Sequence, residues 1–168
     1  MEHKKRFTRL ATCLLLALLA ALALRQPAAQ ASAPTYSYNE WAVLQHTNKH
    51  RMANGRTPLS MIPQMQTAAR VRANEIITLF EHDRPDGSSC FTAITDTGLP
   101  SGSMAENIAA GQSSPYEVVT SWKNSPGHNT NMLNSVYYHI GCGYATGGAY
   151  GRYWVQMFYS RGCSINGM

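Results

Sequence analysis

The apolar positions of the chain change their period along its length, and each change marks an element. Between residues 38 and 54, apolar residues recur at Trp41, Leu44 and Met52 with Asn48 between them, a helical spacing that ends at Asn54-Gly55. Residues 55–58 read as a turn. A second helix is expected over about residues 61–80, with Met65, Ala68, Ala69, Ile76, Leu79 and Phe80 on one face. The segment His82-Asp-Arg-Pro-Asp-Gly87 must be a loop, because Pro85 and Asp86-Gly87 stop regular structure. Residues 88–103 are mixed and punctuated by glycine. Ser114-Pro115 and Ser125-Pro126 each offer a capping serine followed by proline at the first helical position. They predict helices over about residues 116–123 and 127–133. The period then falls to two. Tyr138, Ile140, Cys142 and Tyr144 alternate with smaller residues, residues 147–151 turn the chain, and residues 153–159 return with Trp154 and Phe158 on one face. That is an antiparallel hairpin. Helices first and a hairpin last argue for an α+β fold with helices packed on a small sheet.

The first residues follow a different logic. Lys4, Lys5, Arg6 and Arg9 precede an apolar run over residues 10–24, and Ala29-Gln30-Ala31 supplies a small-x-small step. This is the order of a secretory signal peptide, and its apolar stretch is short for a membrane span. Residues 1–31 are therefore expected to be removed after Ala31, with Ala33 as a second choice and an uncleaved anchor as the alternative. Cys13 precedes most of the apolar run and follows Thr12, which argues against a lipid anchor. Residues 32–37 form a linker, 38–163 one domain, and 164–168 a tail.

Removing that segment changes the charge picture. Of 14 Lys and Arg and nine Asp and Glu, nine basic and eight acidic residues remain. The basic balance of the full chain is thus a targeting feature, and no nucleic-acid partner is expected. Three cysteines remain: Cys90, Cys142 and Cys163. An odd number outside the cell implies one bridge and one further thiol. Cys142 lies in an expected strand and reads as a core residue, so Cys90 and Cys163, in loop-like or terminal contexts, are the expected pair.

Four residues stand out as candidates for chemistry. His82 ends the second helix at a polar loop. His128 sits in the first turn of a helix, where the dipole disfavours imidazolium and leaves the neutral ring that ligates metal or accepts a proton. Each has the simpler reading of a ring satisfying a local hydrogen bond. Glu106 stands in Met104-Ala105-Glu106-Asn107-Ile108-Ala109-Ala110, where a buried carboxylate needs a cation, a histidine or several donors nearby. Glu117, in Ser114-Pro115-Tyr116-Glu117, also reads as the acidic member of a capping box. The remaining candidates are weaker. Ser88 and Ser89 lie in no nucleophile-elbow sequence, and Ser125 is better explained as a cap. His46 and His50 are four apart on a helix without the glutamate of a zinc-protease motif, and His139 belongs to the hairpin.

Together these segments resemble a domain of the CAP superfamily (the cysteine-rich secretory, antigen 5 and pathogenesis-related-1 group), of the compact bacterial type. The matching pieces are His82-Asp-Arg-Pro-Asp-Gly87, Ala105-Glu-Asn-Ile-Ala109, Glu117-Val-Val with Trp122 following, and Ser125-Pro-Gly-His-Asn129 leading to Asn131-Met-Leu133. Ile140-Gly-Cys-Gly-Tyr144 and Tyr153-Trp-Val-Gln-Met-Phe158 complete the set. The resemblance spans about residues 38–159. It implies a three-layer α-β-α sandwich with a small central antiparallel sheet. It also implies a cleft holding two histidines and two glutamates, here His82, Glu106, Glu117 and His128, able to bind zinc or another divalent cation chiefly through the histidines.

The resulting expectation is a secreted, non-catalytic binding module. A metal-assisted hydrolase of peptidase type, with Glu106 or Glu117 as base toward cation-bound water, and a sterol- or lipid-binding protein are the alternatives. The expected partner is an extracellular protein, a lipid or a cell-wall ligand. A monomer or weak dimer without a permanent membrane anchor is expected.

Overall fold

The computed structural model describes residues 35–161. The expected signal peptide, Cys13, residues 32–34 of the linker, Cys163 and the 164–168 tail lie outside the described residues. Nine elements follow in order: α1 (Tyr38–Ala53), β1 (Ser60–Met61), α2 (Pro63–Thr78), α3 (Thr92–Thr95), β2 (Ser103–Ala110), α4 (Pro115–Asn124), α5 (Pro126–Leu133), β3 (His139–Gly147) and β4 (Gly151–Ser160).

Local chemistry fixes the helix starts. Ser37 and Glu40 form a reciprocal capping box at α1, the serine oxygen accepting from Glu40 N–H while the carboxylate accepts from Ser37 N–H at 2.7 Å. The face that α1 buries differs from the expected one. Trp41 and Met52 are exposed, while Glu40, Val43, Leu44, Thr47 and Arg51 face inward. Arg51 takes the inward place because its guanidinium donates to three backbone carbonyls, those of Thr57, Met132 and Asn134. In α2 the expected stripe of Met65, Ala68, Ala69 and Ile76 is buried, but the helix stops at Thr78 and leaves Phe80 exposed. Ser114 caps α4 as expected, whereas the Ser125 side chain makes no capping bond at α5.

The four strands lie in the order β1-β3-β4-β2. β2, β4 and β3 are antiparallel neighbours, and the short β1 runs parallel to β3. The sheet is therefore mixed, where the family resemblance implied an antiparallel one. Period-two alternation divides its side chains between two cores. Ala105, Ala109, Ile140, Cys142, Trp154 and Phe158 pack with residues of α1, α4 and α5 on one side. Ile108, Ala145, Tyr153, Val155, Met157 and Tyr159 pack against α2 and α3 on the other. This is the α-β-α sandwich. β2 escaped the sequence pattern because its central residues are buried on both faces, which erases hydrophobic alternation.

Two glycines set the spacing of one layer. A Cβ at Gly141 would lie 2.0 Å from the Met65 carbonyl oxygen, and one at Gly143 2.1 Å from that of Ala69. α2 thus rests with its backbone on β3. The sheet edges are closed by side chains. Beyond β1, the Gln66 amide pairs with Cys142 as a neighbouring strand would, accepting from its N–H at 3.2 Å and donating to its carbonyl at 2.7 Å. Along the outer edge of β2, Tyr137, Asn131 and Trp122 donate to the carbonyls of Met104, Glu106 and Ile108.

Candidate functional site

β2 carries the residues on which the site is built. Glu106 points toward α2, and its side chain is 1% exposed. Burying a lone carboxylate there would be costly, and the molecule supplies two partners. Arg72 of α2, itself fully buried, donates Nε to Oε1 at 2.7 Å, and His82 Nδ1 lies 2.8 Å from Oε2. Arg72 also pairs with Glu75 at 2.7 Å and donates to the carbonyls of Glu81 and His82, which fixes the chain leaving α2. Glu75 in turn holds Arg84, which reaches Asp96 at 2.8 Å. A continuous chain of charges therefore runs His82–Glu106–Arg72–Glu75–Arg84–Asp96 and pins the 82–87 loop beside β2.

The hydrogen bond that His82 donates to the Glu106 carboxylate favours the protonated ring and raises its pKa above the ordinary histidine value. His128, on α5, moves the other way. Burial disfavours its charged form, and the nearby charge of His82 adds to that effect. The two rings therefore differ in protonation: His82 leans toward imidazolium, His128 toward the neutral ring.

The cleft beside His82 has a volume of about 410 Å³ and is lined by Cys90, Glu106, Asn131 and Tyr137 among others. His128 lines an adjoining cavity of about 370 Å³ farther along β2, with Phe80, Trp122 and Tyr150, near enough to His82 to feel its charge. The fourth expected member is elsewhere. Glu117 is exposed, and its carboxylate accepts from Ser113 N–H at 2.9 Å and Ser113 Oγ at 2.7 Å, which lowers its pKa. It serves the start of α4, one residue away from the cap N–H that a capping box would use. Among the described residues no group of three or more His, Cys, Asp and Glu side chains is arranged to hold a metal ion.

Cys90 is buried against Glu106 and forms no disulfide among the described residues; its expected partner Cys163 lies outside them. Burial pushes the Cys90 thiol up to about 12. Cys142 is fully buried, as its strand position implied.

The model of the cysteine-rich secretory protein (CAP) family matches residues 44–158. The chain belongs to the CAP family. A relative, the uncharacterized protein YkwD of Bacillus subtilis (strain 168), is 36% identical over 130 residues, which cover 76% of this chain and 49% of that protein. The chain thus spans about half the length of this curated relative. Solved CAP-like folds agree with the architecture. An extracellular protein containing an SCP domain from Bacillus anthracis superposes with a TM-score of 0.66 at 23% identity, covering 77% of this chain and 45% of that one. An outer surface protein of Borrelia burgdorferi gives 0.64 at 19% identity, with 71% and 90% covered. The venom allergen-like protein 4 of Schistosoma mansoni gives 0.53 at 15% identity, with 73% and 88% covered.

Sequence reasoning about this CAP domain missed the residues that organise the site. Arg72 lies four positions from both Ala68 and Ile76, a cation on the buried stripe of α2. That placement, set beside a carboxylate in an apolar run, was the available signal for the pair.

Proposed function

We propose that this CAP domain is an exported, non-catalytic binding module that holds a divalent cation, zinc foremost, through His82 and His128. The observation behind this reading is the condition of the two imidazoles. His82 has Nδ1 engaged by Glu106, while no hydrogen bond among the described residues engages its Nε2 or either ring nitrogen of His128. A carboxylate behind an imidazole fixes its tautomer and, once a cation displaces the proton from the other nitrogen, strengthens that nitrogen as a metal donor. Burial keeps His128 in the neutral, ligating form.

The carboxylates do not fit as ligands. Arg72 and His82 occupy Glu106, and Ser113 occupies Glu117. Protein donors would therefore be the two histidines, with the other positions left to solvent or ligand, and the cation would supply Lewis acidity to whatever binds there. The same occupancy favours binding over turnover, since neither glutamate is free as a general base. The sterol-binding alternative rests on the cavity beside His128, where Phe80, Ile108, Trp122 and Tyr150 supply an apolar lining; the cleft beside His82 carries Asp83, Ser89, Glu106 and Asn131 among its lining residues. Export is supported by the signal-peptide pattern of residues 1–31 and by the extracellular and outer-surface descriptions of the folds it resembles.

Calorimetric titration of zinc into the chain starting at Ser32, with melting temperatures alongside, tests this. Zinc binds the wild type and Glu117→Ala alike, and stabilises by about 2.7 kcal/mol at one hundred times its dissociation constant. His82→Ala/His128→Ala abolishes the binding. A wild type indifferent to zinc, or a double variant that still binds it, overturns the reading.

A further inference from the structure

A cavity of about 480 Å³ lies away from the histidine cleft, between α1 and α4. Each helix lines it with one stripe. α1 contributes His46, Lys49, His50 and Ala53; α4 contributes Tyr116, Val119, Thr120 and Lys123. Both sets have the i, i+3, i+4, i+7 spacing of a single helix face. Of these only Val119 is buried; Lys49, Ala53, Tyr116 and Lys123 are exposed, so the groove is the rim of a helix pair whose apolar seam of Val43, Leu44, Val118 and Trp122 lies beneath it, and the rim apart from Ala53 is basic or hydroxylic.

The charges around it are not scattered. Lys49 and Lys123 are the only lysines after Lys5, and both line this groove. No carboxylate lines it. The ion pairs to carboxylates among the described residues are made by Arg70, Arg72, Arg84 and His82, and by neither lysine. His50 is anchored by Asn129 at 2.7 Å, and the His46 ring stands edge-on to Tyr116 at 5.7 Å. No hydrogen bond among the described residues uses the side chains of His46, Lys49, Tyr116, Thr120 or Lys123. These are unengaged donors around a cavity of small-molecule size.

We propose that this groove binds the phosphate group of a small polyol phosphate ester, clamped between Lys49 and Lys123. The compact, strongly hydrated ammonium suits phosphate as a point charge, whereas the planar guanidinium fork suits carboxylate, the role arginines fill elsewhere in this molecule. Thr120 and Tyr116 hydroxyls and the imidazole of His46 supply further donors, and the Tyr116 ring offers a face to the organic part. The same phosphate chemistry reaches the protein either as a free ester or as a lipid headgroup. The site shares no residue with the proposed cation site and stands or falls separately from it.

The test is titration of the full mature chain with glycerol 3-phosphate at physiological salt, and co-sedimentation with phosphatidylglycerol or phosphatidylcholine vesicles. The ester binds the wild type and His82→Ala/His128→Ala equally. Each of Lys49→Gln and Lys123→Gln, exposed residues whose loss leaves the melting temperature unchanged, weakens it by about tenfold. Sedimentation with phosphatidylglycerol alone, lost in the lysine variants, supports the same clamp on a lipid headgroup. Binding of neither probe, unchanged affinity in both lysine variants, or an equal response to acetate overturns the proposal.

Discussion

Glu106 and Asn107 are neighbours on β2, yet they face opposite sides of the sheet and meet opposite solutions to polar burial. On the α2 side, Glu106 enters the chain of formal charges through Arg72, Glu75 and Arg84. On the other side, Asn107 joins a neutral network. It donates to Gln156 at 3.0 Å and to the His128 carbonyl, accepts from Asn131 at 2.9 Å, and is linked through Gln156 to Thr47 at 2.6 Å. The packing differs in parallel: Gly141, Gly143 and alanines bring α2 close on one side, while Trp122, Trp154 and Phe158 fill the other. Charges work where they can be completed by backbone carbonyls and a solvent-facing end at His82. Amides work where the surroundings are aromatic and closed, because a neutral network carries a smaller desolvation penalty.

Removing a charge partner should do the most damage. Arg72→Met leaves the buried Glu106 with His82 as its one remaining charge partner, while Glu75 keeps Arg84, and the expected loss is about 3 kcal/mol in urea unfolding. The double variant Arg72→Met/Glu106→Leu should recover a clear part of it, because no orphan charge remains at Glu106; equal losses in both would mean that packing, not charge, dominates this side. Gln156→Leu comes next, at about 1–3 kcal/mol, since Asn107 and Thr47 each lose a buried partner. A loss as large as that of Arg72→Met would erase the distinction between the two faces.

The smallest effect is the pH dependence. His128 has a lowered pKa, so the unfolded chain binds more protons just below the ordinary histidine value of 6.5, and stability rises with pH up to there. His82 has a raised pKa, so its contribution is complete below 6.5 and is lost as pH rises through its folded value. Stability should therefore pass through a shallow maximum near 6.5 in metal-free buffer. His128→Ala should flatten the acidic limb and His82→Ala the alkaline one, both read from melting temperature against pH.

The parts of this architecture that were legible in sequence are those written in short-range chemistry. Ser114-Pro115 marked the start of α4, and the period-two run from Tyr138 marked the hairpin. The demand of Glu106 for a partner also followed from its apolar neighbours. The partner itself did not, because Arg72 is 34 residues away and its helix reads as continuous without it. Trp41 and Met52 misled for a related reason: hydrophobicity alone ranks them above Arg51, yet only Arg51 can satisfy the carbonyls of two separate segments, at Thr57 and at the end of α5. The place of Glu117 turns on which serine N–H it reaches, a difference of one residue that motif spacing does not resolve.

The closed rims of the sheet bear on how this molecule behaves in a crowd. A strand with open N–H and carbonyl groups is a template on which another copy can add, and repetition of that step builds fibres. Here Gln66 stands where a longer β1 would have run, and Tyr137, Asn131 and Trp122 hold the outer carbonyls of β2. Each side chain that plugs a carbonyl removes one rung from the ladder a second copy would climb, which disfavours growth by edge-to-edge addition.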